Sequence, residues 1–216
     1  MKAVLFDVDG VLIDSLQAHA YAFADALREK GFKFEHIDGE ELPYLLKVYS
    51  NLGKPAKELI NFVLKAVSDS VIEDIIKRHR YLFFTRYKHM VKLKPYVKET
   101  LKYLKNKGIK LCIVSSDSKK SLMNSLNRFK IKKYFDVIIS ADDVTHPKPD
   151  PEGIFKAVGD EKDTLLIGDM SYDVEAAKNA GIKSALVLGT LSLEEAKKLK
   201  PDFILKNLYE VKNIIT

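Results

Sequence analysis

From Pro95 to Leu205 short apolar runs alternate with segments whose apolar residues recur at spacings of three and four, and this alternation restricts the fold more than any other property of the chain. Residues 110–115, 137–140, 164–168, 184–188 and 202–205 are predicted strands. Residues 95–107, 118–129, 151–158 and 171–180 are predicted helices, with Gly108 and Gly181 as stops. A last helix opens at Ser192, where Glu195 completes a capping box. Strands separated by helices require right-handed crossovers, which give a parallel sheet with helices on both faces.

One further strand stands apart at the start of the chain. The run Ala3 to Phe6 reads as buried, and it leads into Asp7 and Asp9, which period-2 alternation puts on one side of the strand at its carboxyl end. Open parallel sheets bind ligands at that end. Two carboxylates about 4 Å apart repel by about 4 kcal/mol at an effective dielectric of about 20, so a cation or a shared proton is expected between them.

Asp14 and Ser15 then read as a cap for a helix over 17–30, stopped by Gly31. Up to about Lys92 the apolar residues keep helical spacing: Leu42, Leu45, Leu46 and Tyr49, then Leu59, Ile60, Val63 and Leu64, then Val71, Ile75, Ile76, Tyr81 and Phe84. An all-helical insert thus separates the first strand from the rest of the sheet. The expected division is an α/β core of residues 1–14 and 93–216 and a helical lid of residues 15–92.

Several function classes are disfavoured by composition. The 216 residues carry 36 Lys plus Arg against 30 Asp plus Glu, but the signs interleave and no run of five like charges occurs, so nucleic acid is not an expected partner. No apolar stretch approaches the length of a membrane span, and a strand begins directly after Met1 and Lys2, so a cytoplasmic location is expected. The single cysteine, Cys112, lies in an apolar run and reads as a small buried hydrophobe.

Polar residues follow the remaining strands in a complementary set. Ser115, Ser116, Asp117 and Ser118 offer hydroxyls and amides at a helix start, Asp169 and Asp173 stand one helical turn apart, and Lys148 is flanked by Pro147 and Pro149. Taken singly these are a cap, a charged first turn and a surface lysine. Together at successive strand ends, acids, hydroxyls and one lysine suggest Mg2+ holding a phosphate group.

These residues resemble the haloacid dehalogenase superfamily of phosphohydrolases over nearly the whole chain. Asp7-Val-Asp-Gly-Val11 looks like its first motif, Ser115 its second, Lys148 its third and Gly168-Asp-Met-Ser-Tyr-Asp173 its fourth. The helical insert, with Asp14-Ser15 and His19 in its first helix, is similar to the cap of the phosphoglycolate phosphatase and β-phosphoglucomutase group. The resemblance implies a Rossmann-like parallel core with a smaller helical cap inserted after the first strand.

It also implies roles. Asp7 is the nucleophile that becomes phosphorylated, and Asp9 the acid and base for the leaving oxygen and the water. Asp7, the main-chain carbonyl of Asp9 and Asp169 hold Mg2+, with Asp173 outside or through water. Gly10, Ser115, Ser116 and Lys148 hold the phosphate, and Lys54 and His19 are carried as substrate-side candidates from the insert. The expected activity is Mg2+-dependent hydrolysis of a small phosphorylated metabolite, phosphoglycolate being favoured, by a monomer or homodimer. Two alternatives stay open: a phosphomutase using the same core residues, and a non-catalytic phosphate or Mg2+ binding module.

Overall fold

A computed structural model of the chain describes residues 1–31, 60 and 67–215. Six parallel strands form one sheet: β1 (Ala3–Phe6), β4 (Lys110–Val114), β5 (Val137–Ile139), β6 (Thr164–Gly168), β7 (Lys183–Val187) and β8 (Phe203–Leu205), in the order β5-β4-β1-β6-β7-β8. The strands left out of that numbering, β2 (Ile13–Asp14) and β3 (Lys92–Leu93), have two residues each, too few to leave a period in the sequence. The crossover helices are α3 (Val97–Asn106), α4 (Lys119–Arg128), α5 (Glu152–Val158), α6 (Ser171–Ala180) and α7 (Leu193–Leu199). The parallel α/β core is the architecture expected from the alternation.

Differences from the expected elements are local. Helix α3 begins at Val97 rather than Pro95, because Tyr96 takes the left-handed conformation, φ 63°, at its start. The Ser192 and Glu195 capping box is present, each side chain meeting the other residue's backbone amide. The expected helix around Leu42, the expected helix around Leu59 apart from Ile60, which is helical and buried, and Lys54 lie outside the described residues.

The chain divides into two compact units, Met1–Ile13 with Leu93–Thr216, and Asp14–Lys92. In the α/β unit β1 is central and completely buried, flanked by β4 and β6. Leu5 and Ala3 of β1, Cys112 and Val114 of β4 and Leu166 of β6 pack with Ile154 and Ala157 of α5 and Ala176, Ala177 and Ala180 of α6. Each fully buried leucine or isoleucine contributes about 1.5–3 kcal/mol, and the alanines let α6 approach the sheet closely.

Register then decides where the polar residues emerge. Phe6 pairs with Ile113 on one side and Ile167 on the other, so β1, β4 and β6 end level with one another. Asp7, Ser115 and Asp169 leave the sheet side by side for that reason.

The second unit contains α1 (Leu16–Glu29) packed on α2 (Asp69–Leu82). Ala18, Ala20, Ala22, Ala24, Ala26, Phe23 and Leu27 are buried in α1, and Ile72 and Ile75 in α2. The predicted third helix runs on past Leu82 as a wider π-turn over Phe83–Tyr87. Among the described residues no helix is long and apolar enough to cross a membrane.

Candidate active site

Asp7 follows β1 directly, with its amide donating to Ile167 O at 2.9 Å. The next residues form a tight loop in which Ile13 N donates to Val8 O at 2.9 Å and Gly10 N donates to Ile13 O at 2.8 Å. Gly10 has φ 76°, and a Cβ there would lie 1.8 Å from Asp169 Oδ2. With its amide already engaged, Gly10 contributes room for Asp169 rather than a free donor for phosphate.

The Gly-Asp-x-x-x-Asp motif is also explained sterically. A Cβ on Gly168 would sit 2.2 Å from Asp173 Cγ. The glycine therefore lets the first turn of α6 fold its aspartate back over the end of β6. There Asp173 Oδ2 accepts from the amides of Asp169 and Met170, both at 3.2 Å.

Lys148 completes the centre. Its ammonium lies 3.0 Å from Asp7 Oδ1 and 2.7 Å from Asp173 Oδ1, and 5.0 Å from the ring centroid of Tyr172. The loop that presents it is tied down by Glu152, which accepts from His146 N at 2.8 Å and binds Lys156 Nζ at 2.6 Å. His146, Asp150 and Glu152 form a second carboxylate and imidazole group on the outer side of this loop, but Glu152 already has these partners.

Asp7, Asp169 and Asp173 are 4, 5 and 2% exposed, and they can bring one oxygen each within 4.8 Å of one another. Among the described residues the buried Lys148 ammonium faces Asp7 and Asp173, and the charge of Lys94 also acts on Asp169. Burial pushes the Asp7 carboxyl up to about 7, with repulsion from Asp173 and Asp9 adding to it and Lys148 opposing. Asp169 is raised well above the carboxylate range, by burial first and then by Asp7 and Asp173. Burial works against the Lys148 ammonium, but Asp173 and Asp7 outweigh it and raise its pKa. A trio of hard oxygen donors with a deficit of positive charge fits a divalent cation such as Mg2+.

The structure brings Asp7, Asp169, Asp173, Lys148 and Gly10 together. Asp9 lies next to them, half-buried and close enough to act on Asp7, but its carboxylate is not one of the three clustered acids. Ser115 is buried at the end of β4, its Oγ accepting from Asp117 N at 3.1 Å, and Ser116 is exposed beside it.

His19 sits in the helical unit, with Nδ1 3.2 Å from His79 Nε2 and its ring stacked on Phe83 at 4.0 Å. Two residues of the centre were not singled out from the sequence. Thr190, after β7, donates its hydroxyl to Asp169 Oδ2 at 2.5 Å, and Lys94 donates to Gly10 O. Thr190 reads as part of a turn ahead of the Ser192 cap, and Lys94 as one charge among several. The signal available was position, since Thr190 follows a core strand at the same end as the others.

Residues 4–187 match the haloacid dehalogenase-like hydrolase family. The chain is 33% identical over 194 residues to a phosphoglycolate phosphatase from Aquifex aeolicus, a match covering 87% of this chain and 85% of that protein. It is 28% identical over 221 residues to a pyrophosphatase PpaX from Halalkalibacterium halodurans, covering 100% of this chain and 97% of that one. The solved structure of a haloacid dehalogenase-like hydrolase from Streptococcus pneumoniae shares the fold, with TM-score 0.84 at 19% identity over 100% of this chain and 99% of that chain.

Proposed function

The chain belongs to the haloacid dehalogenase-like hydrolase family and is a hydrolase of phosphate esters, and we propose that it is a Mg2+-dependent phosphatase acting through an aspartyl-phosphate on Asp7. The observation that supports this most is the placing of Asp7 at the end of the central strand, with Lys148 3.0 Å away and Asp169 and Asp173 beside it. A carboxylate needs no base to act as a nucleophile once ionised. Its obstacle is approach to an anionic phosphate, and that is where cations are needed.

In this reading an Asp7 oxygen forms a bond to phosphorus as the bond from phosphorus to the leaving oxygen breaks. Asp9 donates a proton to that oxygen. It then takes a proton from the water that attacks the aspartyl-phosphate, releasing inorganic phosphate and restoring Asp7. The Ser115 hydroxyl and the third N–H of the Lys148 ammonium are the donors for phosphate oxygens, two of its three protons facing Asp7 and Asp173. Bound Mg2+, held by Asp7, Asp169 and the Asp9 carbonyl, would offset the acids and polarise a phosphoryl oxygen. Asp173, with both oxygens already engaged, orients Lys148 and meets the ion through water.

Phosphoglycolate is the favoured substrate, in keeping with the Aquifex relative. Pyrophosphate is the second reading, favoured because the PpaX relative matches this chain over its full length. A phosphate-release screen over phosphoglycolate, pyrophosphate and sugar phosphates, run beside a sugar-phosphate isomerisation assay, separates these and a mutase. Asp7→Asn should lose turnover of p-nitrophenyl phosphate by a factor on the order of 10⁴ or more while remaining folded. EDTA should stop the unsubstituted chain and Mg2+ restore it; residual turnover in Asp7→Asn near that of the unsubstituted chain overturns the nucleophile assignment.

A further inference from the structure

We propose that Thr190 is a positioning residue for the cation site, fixing the carboxylate of Asp169 so that one of its oxygens is kept for the ion. The inference rests on the Mg2+ reading above and adds to it a residue outside the sequence motifs.

Asp169 is held from two sides. Gly10 lies under it so closely that any side chain would collide with Oδ2, and Thr190 donates its hydroxyl to the same oxygen at 2.5 Å. The torsion that turns a carboxylate about its Cβ–Cγ bond is broad and roughly two-fold, so a buried aspartate needs a partner to choose its plane. Threonine suits this task because branching at Cβ restricts its own χ1. With Oδ2 committed to Thr190, Oδ1 is the oxygen left for an ion.

The other two acids have comparable anchors. Asp173 is set by two backbone amides and Lys148, and Asp7 by Lys148. For Asp169 the corresponding donor comes from the loop after β7, beyond Gly189. Lys94 Nζ, which donates to Gly10 O, lies 3.4 Å from where a Cβ on Gly189 would be, so the Gly10 loop and the Thr190 loop approach the same ammonium. Outer hydrogen-bond partners of metal ligands change affinity typically by 10–100-fold when removed.

The test is isothermal titration of Mg2+ into the substrate-free chain and into Thr190→Val and Thr190→Ser, with melting curves in EDTA as the control for folding. Valine keeps the shape and removes the donor; serine keeps the donor. The expected result is a Kd for Mg2+ raised about 10-fold or more in Thr190→Val. Thr190→Ser should stay within a few-fold of the unsubstituted chain, and metal-free melting should change little in either. Equal Mg2+ affinity in Thr190→Val overturns the proposal, as does a serine variant as weak as the valine one, which would make the methyl group rather than the hydroxyl responsible. Should Thr190→Val not fold, Thr190→Ala is judged by the same two results. An unsubstituted chain that takes up no Mg2+ defeats the cation reading itself, and the Thr190 role with it.

Discussion

The two units treat buried titratable groups in opposite ways. In the α/β unit three carboxylates gather about the buried Lys148 ammonium at the sheet end, and two of them are pushed upward, by burial first and then by repulsion from the neighbouring acids. Among the described residues of the helical unit, two half-buried histidines, His19 and His79, are kept neutral against Phe23 and Phe83, while acids there form ion pairs such as Lys30 with Asp74 at 2.6 Å and Arg86 with Asp25 at 2.7 Å. Burying an unbalanced charge is costly, so a fold keeps such a group where a ligand offsets it. The unbalanced end of the sheet is where the proposed function puts its ligand, and the neutral pair is a packing solution.

Replacing Lys148 with methionine is the strongest way to break this contrast. It removes the ammonium that buried Asp7 and Asp173 share, and losing one partner of a buried ion pair typically costs about 3–5 kcal/mol. Without that ammonium the folded-state pKa of Asp7 moves further above 3.8. The folded chain then holds a proton that the unfolded chain releases, so the variant should lose stability as pH rises from about 4 through neutrality. Denaturant unfolding in EDTA at pH 5 and pH 8 measures it, and turnover should fall by about 10²–10³-fold. A variant as stable as the unsubstituted chain at pH 8 would mean the acids were never in conflict.

The histidine pair should respond to pH with the reverse sign. Burial, then the neighbouring His79, lowers His19 to about 3, and burial, then Arg80, lowers His79 to about 4. Both lie below the ordinary value near 6.5, so the folded unit refuses protons that the unfolded chain accepts. Its stability is fully present above about pH 6.5 and declines as pH falls towards 4, by about 1.4 kcal/mol per pH unit for each proton excluded. Amide exchange in α1 and α2 between pH 7 and pH 5 reads this, and His79→Phe should flatten the slope by about half. A slope unchanged in that variant would show that the acid response arises elsewhere.

What could be read from the sequence follows the same division. The core strands were legible to within about a residue because each is a buried apolar run closed by polar residues, and Asp7, Asp169, Asp173 and Lys148 were legible because their residue types complement one another at successive strand ends. The ties between loops were not. Thr190 reaches Asp169 across 21 positions and Lys94 reaches Gly10 across 84, and no local pattern carries such a contact. The full push on the Asp7 carboxyl was hidden for a related reason: repulsion from Asp9 is expected from the sequence, while desolvation, the larger cause, depends on everything packed around it. In the helical unit His19 stands at helical spacing, and its partner lies 60 residues away in α2.

The smallest effect tests the outer half of the comparison. Arg78 donates two hydrogen bonds to the Glu29 carboxylate across α1 and α2, a bidentate geometry that would be worth most if it were dry. Both side chains are more than a third exposed, at 37% and 42%, so water and salt screen the attraction and ordering two long side chains opposes it. Glu29→Gln should thus leave the unfolding midpoint of the helical unit within measurement scatter at 0.15 M salt and shift it detectably at most at low ionic strength. If it instead unfolds that unit at physiological salt, the surface pairs rather than the alanine-lined contact of α1 with α2 hold the helices together. The neutral histidine pair would then be a passenger in a unit secured from outside.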